Sequence, residues 1–376
     1  MPLNRRNFLK ALSVSLTGNA LLACTHKQFF NPDEDILLSG GSVSDGTETQ
    51  DALIVLNLAR QEKRLIETPF LPHEIIIDPG DKYRVLCFKK NAGNACEVNL
   101  QTQEVTRLFH TENDHLFSGH ACFSKEGKKL YTVESAGDKI QGSVVIRDGK
   151  TFQRITTFPS LGLKPHDCQI TDDNILLISN TGKSESSFHQ PSLIAIDLAT
   201  EKLTERISLK NKNLDCGHFT KTENGNIVIA SAPVAEKEDD KGGVSIRRHG
   251  DKITTMTEPE LVIQRMTGEA LGIAVDQQRD VAAITHPDAN LITFWSIKNN
   301  KIIKAFGMEN PRGICLTLDK KYFVISFADR PAMVKIPTTD LTPLKDSMVQ
   351  PTLASGEHLL NWSQSLREIM PTRVYG

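Results

Sequence analysis

Pro165-His166-Asp167-Cys168-Gln169-Ile170, the turn Thr171-Asp172-Asp173-Asn174, then Ile175-Leu176-Leu177-Ile178-Ser179-Asn180-Thr181-Gly182 is the stretch on which the fold turns. Two short apolar runs joined by Asp and Asn, residues that make tight turns cheaply, read as a β-hairpin. Ser192-Leu193-Ile194-Ala195-Ile196-Asp197 adds a third strand. The turn Leu198–Lys202 and the run Leu203–Ile207 add a fourth. Four short strands within about 40–50 residues, with no long helical period, is the unit of a β-propeller blade.

The same pattern recurs on both sides. Its opening reads Pro72-His73-Glu74, Gly119-His120-Ala121, Pro165-His166-Asp167, Gly217-His218-Phe219, Leu271-Gly272-Ile273 and Arg312-Gly313-Ile314. The second positions are separated by 47, 46, 52, 54 and 41 residues. Turns follow at Pro79-Gly80-Asp81, Lys125-Glu126-Gly127, Glu223-Asn224-Gly225 and Asp276-Gln277-Gln278, each before another apolar run. Ile36–Leu38, Leu53–Leu58 and Lys63–Glu67 supply three further strands before the first full repeat, and His358-Leu359-Leu360-Asn361 supplies one after the last. Pairing these ends closes a ring and removes the sheet edges that invite aggregation. The expected fold is all-β: a seven-bladed β-propeller with four-stranded blades, closed by its N- and C-terminal strands, over residues 25–376.

Residues 1–24 are set apart from it. Asn4-Arg5-Arg6-Asn7-Phe8-Leu9-Lys10, a moderately apolar stretch to Ala23 and Cys24 look like a twin-arginine (Tat) export signal. Leu21-Leu22-Ala23-Cys24 resembles a lipoprotein cleavage box that makes Cys24 a lipidated first residue, although Leu22 stands where a small residue is usual. Thr25, not aspartate, follows. The expectation is a periplasmic, Tat-exported protein, anchored to the outer membrane through Cys24 or released by plain cleavage. After residue 24 no apolar run is long enough to span a bilayer, so a lipid on Cys24 is the expected membrane contact.

The 44 Lys and Arg against 46 Asp and Glu leave a net charge of −2 without a basic tail, which speaks against nucleic acid as a partner. Seven cysteines fit no paired C-x-x-C metal spacing. Cys122, Cys168 and Cys315 read as packing residues, and Cys87 and Cys96, flanking a hairpin, as a possible disulfide in an oxidising compartment.

Pro165-His166 opening a strand, then Leu176-Leu177-Ile178-Ser179-Asn180-Thr181-Gly182 and Ile194-Ala195-Ile196-Asp197-Leu198-Ala199-Thr200-Glu201-Lys202 resemble the YVTN type of propeller repeat, and Ser118–Ser124, Leu130–Glu134, Pro165-His166-Asp167 and Gln190-Pro191-Ser192-Leu193 are landmarks of one family of such chains. With its N-terminal signal, the chain is similar to a family of uncharacterised bacterial periplasmic seven-bladed propellers. The genes of that family often stand beside imelysin-type iron-uptake lipoproteins and di-haem oxidoreductases. The resemblance implies a place in iron acquisition and an imelysin-like or di-haem periplasmic partner protein. It carries no catalytic residues to transfer.

The first strand of each blade lies nearest the axis, so His73, His120, His166 and His218 fall on one ring, with Gly272 and Gly313 on the next two blades. Imidazoles gathered there suit a transition metal, iron or copper. Glu74, Glu134 and Asp167 are candidates to support them from behind, and the glycines to leave room for a ligand or water. The same register is equally met by histidines that only hydrogen-bond between blades at the channel mouth. No G-x-S-x-G, P-loop, H-E-x-x-H or C-x-x-C-H motif occurs. Three functions follow: a non-enzymatic binder of a metal ion or partner protein, a metal-dependent oxidoreductase or hydrolase at the same channel, or a ligand-free interaction scaffold. Glu134 is the one candidate general base.

Overall fold

A computed structural model describes residues 29–369 apart from 45, 113, 137–140, 183–189 and 235–239. The export signal, Cys24 and His189 lie outside the described residues.

The described strands form seven antiparallel sheets of four, one per blade. The hairpin at Pro165 forms as its turn chemistry demands: Asn174 takes the left-handed conformation, φ 59°, and Cys168 pairs with Ile178 and Ile170 with Leu176. Gly127 and Gly225 play the same part in their blades, at φ 69° and 83°. In the blade beginning at Ile273 the left-handed residue is Asp280, φ 61°, after the Asp276-Gln277-Gln278 stretch. Asp tolerates that region because its short side chain bonds locally.

Ring closure is as the chain ends suggest. Leu359–Asn361 is the inner strand of the blade whose other strands are Ile36–Ser44, Thr49–Asn57 and Glu62–Glu67. Leu37 pairs with Asn361 and Ser39 with Leu359. The helix Trp362–Ile369 then seats Trp362, fully buried, against Phe30 and Tyr83, its indole donating to the Lys82 carbonyl at 2.7 Å. No helix among the described residues is long and apolar enough to cross a membrane.

Alternation along the strands gives each blade two apolar faces, and neighbouring blades bury them against each other. Tyr131, Val133, Val144 and Ile146 of one blade meet Cys168, Leu176, Ile178 and Ile194 of the next. Trp295 joins a similar cluster with Val244, Met266 and Leu291. Neighbouring blades thus hold one another around the ring.

Where the inner strands open, the ladder is irregular. Pairing shifts between Pro165 and Cys168, between Phe117 and Ala121, and between Pro311 and Ile314. Such bulges re-aim a side chain, and these bracket His166, His120 and Gly313. A second-strand hydroxyl takes up the freed backbone in five blades. Ser179 accepts from the Asp167 amide at 2.9 Å, Thr285 from Gly272 at 2.9 Å and Ser326 from Gly313 at 3.0 Å. Ser39 donates to the His358 carbonyl at 2.8 Å and Ser231 to that of Asp215 at 2.6 Å.

Candidate metal centre

His73, His120, His166 and His218 converge at one mouth of the channel, and a fifth histidine joins them. His358 opens the inner strand of the terminal blade, 45 residues after Gly313, and so holds the seventh ring position. In sequence His358–Asn361 reads only as a closing strand; the 45-residue step is the one signal that marks His358, because a lone strand at the chain end carries no hairpin to set the register.

The rings contact one another edge to face. Centroids lie 4.9 Å apart for His73–His120, His120–His166 and His120–His218, 4.5 Å for His166–His218 and 4.6 Å for His73–His358. The Nε2 atoms face inward: 3.1 Å separates those of His73 and His120, and 3.2 Å those of His166 and His218. Two nitrogens bound at about 2.0–2.1 Å to one ion, at ordinary coordination angles, sit about 2.9–3.4 Å apart. The pairs are therefore already at ligand spacing. His73, His120 and His358 form one group able to hold an ion, and His120, His166 and His218 another.

Carboxylates fix the rings from behind. Nδ1 of His120 lies 2.9 Å from Glu74 and 3.6 Å from Asp167, and Nδ1 of His73 lies 3.2 Å from Glu357. Glu357 in turn holds Lys90 at 2.8 Å. A carboxylate on Nδ1 keeps the proton there and turns the Nε2 lone pair inward, the arrangement found behind metal-bound histidines. Gly119, at φ 113°, packs its backbone against the His73 ring, where a Cβ would collide.

Burial pushes His73, His166 and His218 well below the ordinary imidazole range, and His358 down to about 4. For His120 burial acts in the same direction, but the charges of Asp167 and Glu74 outweigh it and hold the ring above its usual value. Burial raises Asp167 to about 6 despite His120. Of the five rings, His120 is the one whose surroundings favour the charged form, and its Nε2 shares a hydrogen bond with Nε2 of His73. Four uncharged imidazoles remain ready as ligands, since a metal needs the neutral form. Nε2 of His358 is buried with no hydrogen-bond partner, and a lone buried acceptor of this kind calls for an occupant.

Beside His358 and Glu74 the channel widens into a cavity of about 160 Å³, walled opposite by Gly272 and Gly313. The glycines border the space, yet a Cβ on either would strike the next blade rather than fill it: Arg312 O at 2.7 Å from Gly272, and Leu359 N at 2.6 Å from Gly313. Their first duty is close packing.

Other candidates fall outside the cluster. Glu134 does not support it: its carboxylate is buried and bonds Arg147 and Thr132, each at 2.7 Å, with His115 at 3.5 Å. Arg147 on the adjacent strand pairs with the charge that burial forbids to stand alone, so Glu134 faces away from the clustered histidines. His286 is buried on the Thr293 hydroxyl, at 2.9 Å. Cys122 and Cys168 face each other across two blades, Sγ atoms 3.6 Å apart, within an apolar cluster. Cys87 and Cys96 are register partners on adjacent strands and stand as buried free thiols.

Among solved structures, the chain is similar to Kuenenia stuttgartiensis hydrazine synthase, with TM-score 0.61 and 14% identity over 78% of this chain and 93% of that one. It is also similar to the dihydro-heme d1 dehydrogenase NirN in complex with DHE, with TM-score 0.57 and 14% identity over 88% and 69% of the two chains. At identities this low the likeness concerns the fold alone. No curated protein matches the chain. A family model described as protein of unknown function (DUF1513) matches residues 66–359, from the end of the first blade to the closing strand. The match takes in all five histidines and their carboxylates, and the chain belongs to the DUF1513 family.

Proposed function

We propose that the protein is a periplasmic propeller that binds a transition-metal ion, iron or copper, at the histidine mouth of its channel and serves iron acquisition. One observation carries the metal: five imidazoles gathered with paired Nε2 atoms at 3.1 and 3.2 Å and Nδ1 atoms backed by Glu74 and Glu357. Nε2 of His358 is buried without a hydrogen-bond partner, which leaves it free as a ligand atom. The compartment rests on Arg5-Arg6 and the segment to Cys24, with Cys24 as the lipid anchor. The role in iron, and an imelysin-like or di-haem partner, rest on the family resemblance.

The test is metal content and titration of the mature protein purified without chelator, beside a His120→Ala/His166→Ala double variant. Near-stoichiometric iron or copper, lost in the folded variant, is the expected result. A wild type that is metal-free and takes up none leaves the histidines as channel-mouth structure and the propeller as an interaction scaffold.

A metal-dependent enzyme is the second reading. The cavity beside His358, together with an Asp167 carboxyl held up at about 6, favours it, since an acid titrating near neutrality is suited to move protons.

A further inference from the structure

The five histidines are too spread for one ion to hold together. Imidazoles on one ion have ring centres about 4.5–5 Å apart when adjacent and about 6.4 Å apart when trans, by the metal–nitrogen lengths of such sites. His73 lies 6.4 Å from His166 and 6.5 Å from His218, the trans distance in both cases, yet those two rings are 4.5 Å apart and cannot both stand trans to it on one ion. His120 alone is within 5.0 Å of the other four. Its Nδ1 is occupied by Glu74 at 2.9 Å, so only Nε2 is free, and one nitrogen lone pair binds one ion at a time.

From this, and resting on the metal reading above, we infer that the cluster is two overlapping three-histidine stations sharing His120, between which a single divalent ion is passed as cargo. His73, His120 and His358 form one station, beside the 160 Å³ cavity that His358 and Glu74 help to wall. His120, His166 and His218 form the other, with Asp167 between His120 and His218 at 3.6 and 4.0 Å. Transfer is ligand exchange: the ion keeps the His120 bond, gives up Nε2 of His73 and His358, and takes Nε2 of His166 and His218. No electron moves. Charge also limits the cluster to one ion. Three carboxylates, Glu74, Asp167 and Glu357, face two cations, Lys90 and Arg312, both on Glu357 at 2.8 and 3.8 Å. That leaves too little negative charge to hold two divalent ions so close together.

Cobalt(II) is the probe, because its visible bands report ligand number and geometry. Metal-free mature protein is titrated and bound cobalt counted. The expected stoichiometry is one per chain. His166→Gln/His218→Gln and His73→Gln/His358→Gln should each still bind one ion, with different visible spectra, the wild type showing both components. His120→Gln should weaken binding beyond the roughly 10–100-fold lost when a supporting group behind a ligand is removed. Two cobalt ions in the wild type overturn the inference while leaving the metal reading intact. So does a result in which one double variant loses binding and the other matches the wild type, which describes a single fixed site. No cobalt in the wild type ends both. Circular dichroism checks folding, and single Gln substitutions replace any double variant that fails it; the wild-type count needs no variant.

Discussion

The two sides of the channel mouth use one register position in opposite ways. On five successive blades it carries His358, His73, His120, His166 and His218, and on the remaining two it carries Gly272 and Gly313. On the histidine side, polar side chains meet across the axis with acids behind them. On the glycine side, inner strands come so close that a methyl group would reach 2.6 Å from Leu359 N or 2.7 Å from Arg312 O. One side gathers buried imidazoles and the carboxylates behind them. The other is built for packing and holds the ring shut. Stability and binding should therefore separate along this line when residues are changed.

The largest effect on stability belongs to the packing side. Trp295→Ala empties a fully buried site between blades. It should cost about 3–5 kcal/mol in denaturant unfolding while leaving metal affinity of the folded fraction unchanged. A parallel loss of metal affinity would show that the two sides are not independent.

Gly313→Ala forces a methyl group against the closing strand and should cost about 1–3 kcal/mol, again without loss of metal. If thermal melts show no change, the glycine stands there to leave space rather than to pack, and the contrast between the halves weakens.

The smallest effect concerns a histidine on the wrong side. His286 is buried in the Gly272 blade, and burial lowers it to about 3. Below the unfolded value of about 6.5 the unfolded chain takes up a proton that the native chain refuses, so stability present above that pH is lost as pH falls towards about 3. Between pH 7.5 and 5.5 the loss through this residue should be about 1.5 kcal/mol. His286→Gln, which keeps an acceptor for Thr293, should remove that part of the pH dependence, measured as the difference between the two proteins' unfolding free energies. Equal pH slopes would mean that His286 is protonated in the native state.

Much of the fold was legible in the chain. The hairpin from Pro165 to Asn180, its recurrence every 41–54 residues and the odd strand at each end state the blade, the count and the closure. Four members of the histidine cluster came with them, because a repeat places equivalent residues on one ring. Glu74 and Asp167, next in sequence to His73 and His166, proved to stand behind His120 of the neighbouring blade rather than behind their own neighbours. Glu357 escaped notice although it directly precedes His358, for want of a repeat around it. The second-strand hydroxyls of Ser179, Ser231, Thr285 and Ser326 acquire their role only in the folded chain, where the irregular inner strands meet them.

What the sequence determined by itself is local and periodic: strands from alternation, turns from Asn, Asp and Gly, and a ring from repetition, because each is set by residues near in the chain. The partners of buried charges belonged to the tertiary structure alone. Glu134 went to Arg147 rather than to the histidine ring, and His120 drew its acids from Glu74 of one flanking blade and Asp167 of the other. A buried charge takes whichever opposite group the fold brings within about 4 Å, and that choice is made across blades, where sequence distance carries no information.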